Sequence, residues 1–81
     1  MKARVYVSLK KSVLDPQGKT IHHSLKNLGY EHVKDVRQGK VFEIDFNNEL
    51  SQDEARKEIE QMAQSVLTNP IIEQYSYEIE G

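Results

Sequence analysis

The 81-residue chain has no cysteine, which excludes a disulfide framework, a thiolate metal site and a cysteine nucleophile, and suits a reducing, cytoplasmic location. No apolar run approaches the ~20 residues that a membrane span requires. Met1-Lys2-Ala3-Arg4-Val5 leads straight into a strand pattern rather than a signal-peptide core. Positive charge is not in excess either. With 11 Lys and Arg against 13 Asp and Glu, the net charge is -2, so no long-range field draws in nucleic acid. Low-complexity segments and linkers are missing too, and the length suits one domain, residues 1–81, with a small core and much surface left for partners.

What is present is patterning. Residues 3 to 9 place Ala3, Val5, Val7 and Leu9 on one face and Arg4, Tyr6 and Ser8 on the other, a half-buried strand. Asp15 then caps a helix that has Pro16 at its first position, where a missing N–H is harmless. Ile21, Leu25 and Leu28 form a narrow apolar stripe, and Gly29 supplies a left-handed stop, so the helix is expected over 16–28, with Tyr30 folding back on its last turn. Val33 and Val36 suggest a short strand of irregular parity, Gln38-Gly39-Lys40 a hairpin turn, and Phe42, Ile44 and Phe46 the returning strand. Asn47-Asn48-Glu49-Leu50 reads as a loop. Ser51 with Glu54 is a capping box that opens a second helix, striped by Ala55, Ile59, Met62, Ala63 and Val66 with Leu67, and Asn69-Pro70 stops it. A last strand spans 71–79, and the chain ends at Gly81.

The resulting order, β-α-β-β-α-β, predicts an α+β fold of ferredoxin-like, split-βαβ type, with both helices on one face of a four-stranded antiparallel sheet. The inward face would hold Val5, Val7, Leu9, Phe42, Ile44, Phe46, Tyr75, Tyr77 and Ile79. The open face would be mixed: Arg4, Tyr6, Ser8, Val41, Glu43, Asp45, Gln74, Ser76 and Glu78.

Reactive constellations are scarce. His22 and His23 point ~100° apart on the first helix and, with His32, form no ligand frame, so no metal is expected. Asp15 and Glu54 are accounted for as caps. The Gln17-Gly18 turn looks bare and open to close approach, such that Gly18→Trp is expected to leave the fold largely intact but to weaken assembly with partners; it lacks the glycines and the Lys-Ser/Thr of a phosphate loop. Tyr6 alone cannot make a base-stacking platform. Arg37 stands at a strand end, where it can pair with a partner carboxylate.

Four blocks carry more information together than singly: Val5-Tyr6-Val7-Ser8-Leu9-Lys10, Val13-Leu14-Asp15-Pro16-Gln17-Gly18, Val36-Arg37-Gln38-Gly39-Lys40 and Asn69-Pro70-Ile71-Ile72-Glu73-Gln74-Tyr75. In order and spacing they resemble the PurS family, the small subunit of phosphoribosylformylglycinamidine synthase. The resemblance implies a non-catalytic subunit of an ATP-dependent glutamine amidotransferase in purine biosynthesis. It would act as a homodimer, with a tetramer as a further option, bridging the glutaminase subunit (PurQ) and the large synthetase subunit (PurL) and supporting ammonia transfer. ATP, Mg²⁺ and glutamine would be used by the complex and not bound by this chain, which would have no activity of its own. Asp15, Gln17, Gly18, Arg37, Gly39, Lys40, Asn69 and Pro70 are the expected partner-contact residues. The competing expectation is a free-standing ACT-like dimeric metabolite sensor, which would bind a small ligand saturably on its own.

Overall fold

A computed structural model describes residues 1–47 and 49–80; Asn48, in the expected 47–50 loop, and Gly81 lie outside the described residues. The elements are β1 (Lys2–Leu9), α1 (Pro16–Asn27), β2 (Gly39–Asp45), α2 (Gln52–Met62), continued by a π-helical turn over Ala63–Leu67, and β3 (Glu73–Glu80). β1 lies at the centre of a three-stranded antiparallel sheet of order β2-β1-β3. Val5 sits opposite Phe42 and Tyr77, and Val7 opposite Lys40 and Tyr75, so the apolar residues of all three strands share one face. Ala3, Val5 and Val7 are fully covered there by Ile59 and Ala63, with Phe42, Ile44, Tyr77 and Ile79 around the rim.

The ends of both helices follow from local chemistry. Asp15 Oδ1 accepts from Gly18 N–H at 2.9 Å, and Ser51 Oγ accepts from Glu54 N–H at 3.2 Å. α1 ends with Gly29 at φ 100°, Gly29 N–H donating to Lys26 O and Tyr30 N–H to Leu25 O, each at 3.1 Å. The Tyr30 side chain remains exposed.

Three expectations fail, each for a physical reason. No fourth strand forms among the described residues. The 33–38 segment spends its polar groups on α1 instead: Val33 O bonds to His22 Nε2 at 2.8 Å and Gln38 N–H donates to Asp15 Oδ2 at 2.7 Å. Gly39 and Lys40 accordingly open β2 rather than a hairpin. Nor do both helices cover the sheet: no α1 residue joins the core, and Ile21 and Leu28 stay exposed. Finally, Val66 is 78% exposed although it continues the α2 stripe. Thr68 closes the π-helical turn on Ala63 O through both its N–H (3.0 Å) and its hydroxyl (2.7 Å), and the extra residue in that turn brings Leu67 onto the core.

Candidate functional site

At one end of the sheet the β1–α1 connection, the approach to β2 and the start of β3 meet. Asp15 organises the meeting point. It is 4% exposed, and its two carboxylate oxygens accept backbone N–H groups from Gly18 and Gln38, which joins the helix start to a segment twenty-three residues away. Those bonds, that from Gln38 foremost, and the nearby Arg37 charge hold the Asp15 carboxyl below its ordinary value, against the opposing effect of burial. Arg37 fastens the other side of the connection, donating through Nη2 to Lys10 O at 2.9 Å and Val13 O at 2.8 Å.

Gly18 is buried. A Cβ built there would stand 2.2 Å from Val36 O and 2.9 Å from Asp15 Oδ2. The close neighbour of the first turn is therefore the chain's own backbone, and the expectation that Gly18→Trp leaves the fold largely intact fails.

In front of this clasp lies a cleft of about 230 Å³, which brings together Asp15, Gln17, Gln38, Gly39, Lys40 and Glu73. Lys40 reaches across it, its ammonium 3.7 Å from Glu73 Oε2 and 5.5 Å from the centre of the Phe42 ring. The other Glu73 oxygen accepts Asn69 N–H at 2.7 Å, and Asn69 Oδ1 accepts from Ile71 N–H at 3.2 Å to shape the turn. Asp15, Gln17, Gly39 and Lys40 thus share the cleft, Gly18 and Arg37 stand behind it, Asn69 joins through Glu73, and Pro70 lies in the exposed turn beyond. Glu73 and Gln38 were not singled out in the sequence. Both sit inside the four sequence blocks, but one acts through its side chain and the other through its backbone N–H, and only the fold shows where either is aimed.

The cleft is built to hold shape. The Asp15 oxygens are occupied by backbone donors, so the carboxylate is a brace and not a base. His22 bonds the Val33 carbonyl. Among the described residues no cluster of three or more His, Cys, Asp or Glu could hold a metal ion, and no helix is long and apolar enough to cross a membrane.

Fold and site together define a small α+β protein with one end of its sheet braced by buried hydrogen bonds to Asp15. The family that the chain matches, over residues 2–81, is described as PurS, phosphoribosylformylglycinamidine (FGAM) synthase. The chain belongs to the PurS family. It is 44% identical over 79 residues to phosphoribosylformylglycinamidine synthase subunit PurS of Bacillus subtilis, covering 98% of this chain and 92% of that one. The structure of Bacillus subtilis PurS matches with a TM-score of 0.85 at 44% identity, over 99% of this chain and 98% of that one. A chain in the structure of PurLQS from Thermotoga maritima matches with a TM-score of 0.80 at 26% identity, over 95% and 93% of the two chains.

Proposed function

We propose that this chain is the small, non-catalytic subunit of phosphoribosylformylglycinamidine synthase, a cytoplasmic glutamine-dependent ligase of purine biosynthesis. It acts as one domain, pairs with a second copy, and bridges the glutaminase and synthetase subunits so that ammonia released from glutamine reaches the formylglycinamide ribonucleotide. ATP, Mg²⁺ and glutamine are handled by the larger subunits. The observation that carries the reading is the match to PurS over nearly the whole chain, 2–81, including a structural match to a chain in PurLQS. The groups around the cleft support it, because a bridge needs contact surfaces already rigid before docking, which lowers the entropy lost on association. Asp15, Gly18 and Arg37 brace that surface from within, whereas Gln17, Gly39, Lys40, Asn69 and Pro70 present it to a partner.

The test is amidine formation by the host's glutaminase and synthetase, with and without this chain, beside an ammonium-driven control. Restoration of the glutamine reaction alone is the expected outcome. An unchanged glutamine reaction would overturn the bridging role.

A further inference from the structure

Charge is divided unevenly along the chain. Residues 10–40 hold seven Lys and Arg against three Asp and Glu, a net +4, whereas the remaining residues hold four against ten, a net -6. The fold keeps the two groups apart. Residues 10–40 leave the sheet at the end that Asp15 braces and return to it at Gly39; between those points α1 and the 33–38 segment bond to each other, His22 to Val33 and Asp15 to Gln38. Because no α1 residue joins the core, they form a cationic lobe beside an acidic body, in a molecule of 51 × 26 × 14 Å. The cations of the body are mostly spent within the chain: Lys2 pairs with Glu43, Arg4 with Glu80 and Arg56 with Asp53. Those of the lobe are not. Among the described residues Lys11, Lys19, Lys26 and Lys34 are exposed and have no carboxylate within ion-pair distance. Two of the lobe's three carboxylates are engaged by backbone, Asp15 by Gly18 and Gln38 and Asp35 by Val36 N–H. Unpaired like charge gathered in this way repels itself and adds nothing to the fold.

Resting on the bridging reading above, we propose that this lobe, through Lys19, Lys26 and Lys34, steers and seats the chain against a carboxylate-rich surface on one of the two larger subunits. Lys19 and Lys26 are seven residues apart and share one side of α1, roughly 150° around from Ile21. The row therefore faces away from the apolar stripe and stays outward when the stripe is covered. Lys34 adds to it, next to Val33, which His22 fastens to the helix. The distribution of charge favours a folded partner over a nucleic acid, because a polyanion crossing the lobe runs on to the acidic body and is repelled there, whereas a protein surface can present its carboxylates to the lobe alone. It also fixes direction. A bridge with one cationic and one anionic part cannot be inserted the wrong way round without placing like charges opposite each other.

The test is the rate at which this chain associates with the host's glutaminase and synthetase, measured from about 50 to about 300 mM salt. Lys19→Glu with Lys26→Glu is expected to slow association about tenfold at low salt and to flatten its salt dependence, with dissociation changed less. Lys26→Glu also opposes the dipole at the end of α1, so Lys19→Gln with Lys26→Gln is the second variant; it should shift both quantities in the same direction by less. Lys57→Glu, on α2 and outside the lobe, should leave both unchanged. The far-ultraviolet circular dichroism spectrum should be unaltered in all three, because none of these lysines belongs to the core. If the parent joins the larger subunits and both α1 variants keep its rate and salt profile, or if Lys57→Glu slows association as much, the lobe is not the docking surface and the bridging role stands. If the parent joins neither subunit, both readings fall. Single-stranded RNA that is held by the parent and released by Lys19→Glu with Lys26→Glu, while assembly is unaffected, would assign the lysines to nucleic acid and overturn the proposal.

Discussion

Asp15 joins two backbone segments because a carboxylate can accept on both oxygens at once, and Gly18 is the residue that lets the segments come close enough. The carboxylate is stabilised as the anion, chiefly by Gln38 N–H, then by Gly18 N–H and by the Arg37 charge. Its native pKa is lowered, so its contribution to stability is complete above the ordinary aspartate range and is lost as pH falls through the lowered value. Urea midpoints measured from about pH 6 down to about pH 3 should fall with acid in the parent chain. In Asp15→Asn the profile should be lower at neutral pH and flatter; parallel profiles would remove the clasp as the acid-sensitive element. At Gly18 the added methyl of Gly18→Ala meets a carbonyl oxygen at 2.2 Å, which a backbone cannot cheaply relieve. A loss of about 1–3 kcal/mol is expected in the same urea assay.

Among the elements, α2 shows how one irregular turn re-aims a side chain. A plain α-helix through 51–69 would bury Val66, but the π-helical turn held by Thr68 turns it outward and brings Leu67 in. Val66→Ala should therefore change stability by no more than about 0.5 kcal/mol, and Leu67→Ala should cost more than about 1 kcal/mol. Equal costs, read from thermal unfolding, would mean that the helix runs on without the extra residue. Tyr77 braces the same helix from β3, donating its hydroxyl proton to Glu60 at 2.8 Å, and that bond raises the Tyr77 pKa.

For the whole molecule, the contrast is between a sheet closed by α2 and a helix, α1, that contributes nothing to the core. A segment with few buried apolar contacts opens at low free-energy cost. Amide exchange in α1 should thus be fast, while β1 between its two neighbours exchanges slowly. Protection of α1 equal to that of β1 would show that the helix is held as firmly as the sheet.

Local structure was legible wherever one residue's chemistry decides it. The Asp15 and Ser51 caps, the Gly29 stop and the alternating strands came from side chains acting within a few positions of themselves. Two-residue alternation also assigned the sheet's faces correctly, because side-chain parity in a strand leaves only two choices. The family could be recognised from the four blocks and holds across residues 2–81. Competition between distant groups was not legible. Whether 33–36 paired as a strand or lay along α1 depended on where Asp15 and His22 offered partners, and the phase of α2 depended on a bond from Thr68 to Ala63. The sequence by itself determined the two helices, the three strands that form, the faces of those strands and the family. Only the tertiary structure decided that the sheet has three strands, that Gly18 is packed from within, and that Glu73 and Lys40 meet across a cleft, because each depends on which of several possible hydrogen-bond partners the folded chain brings within reach.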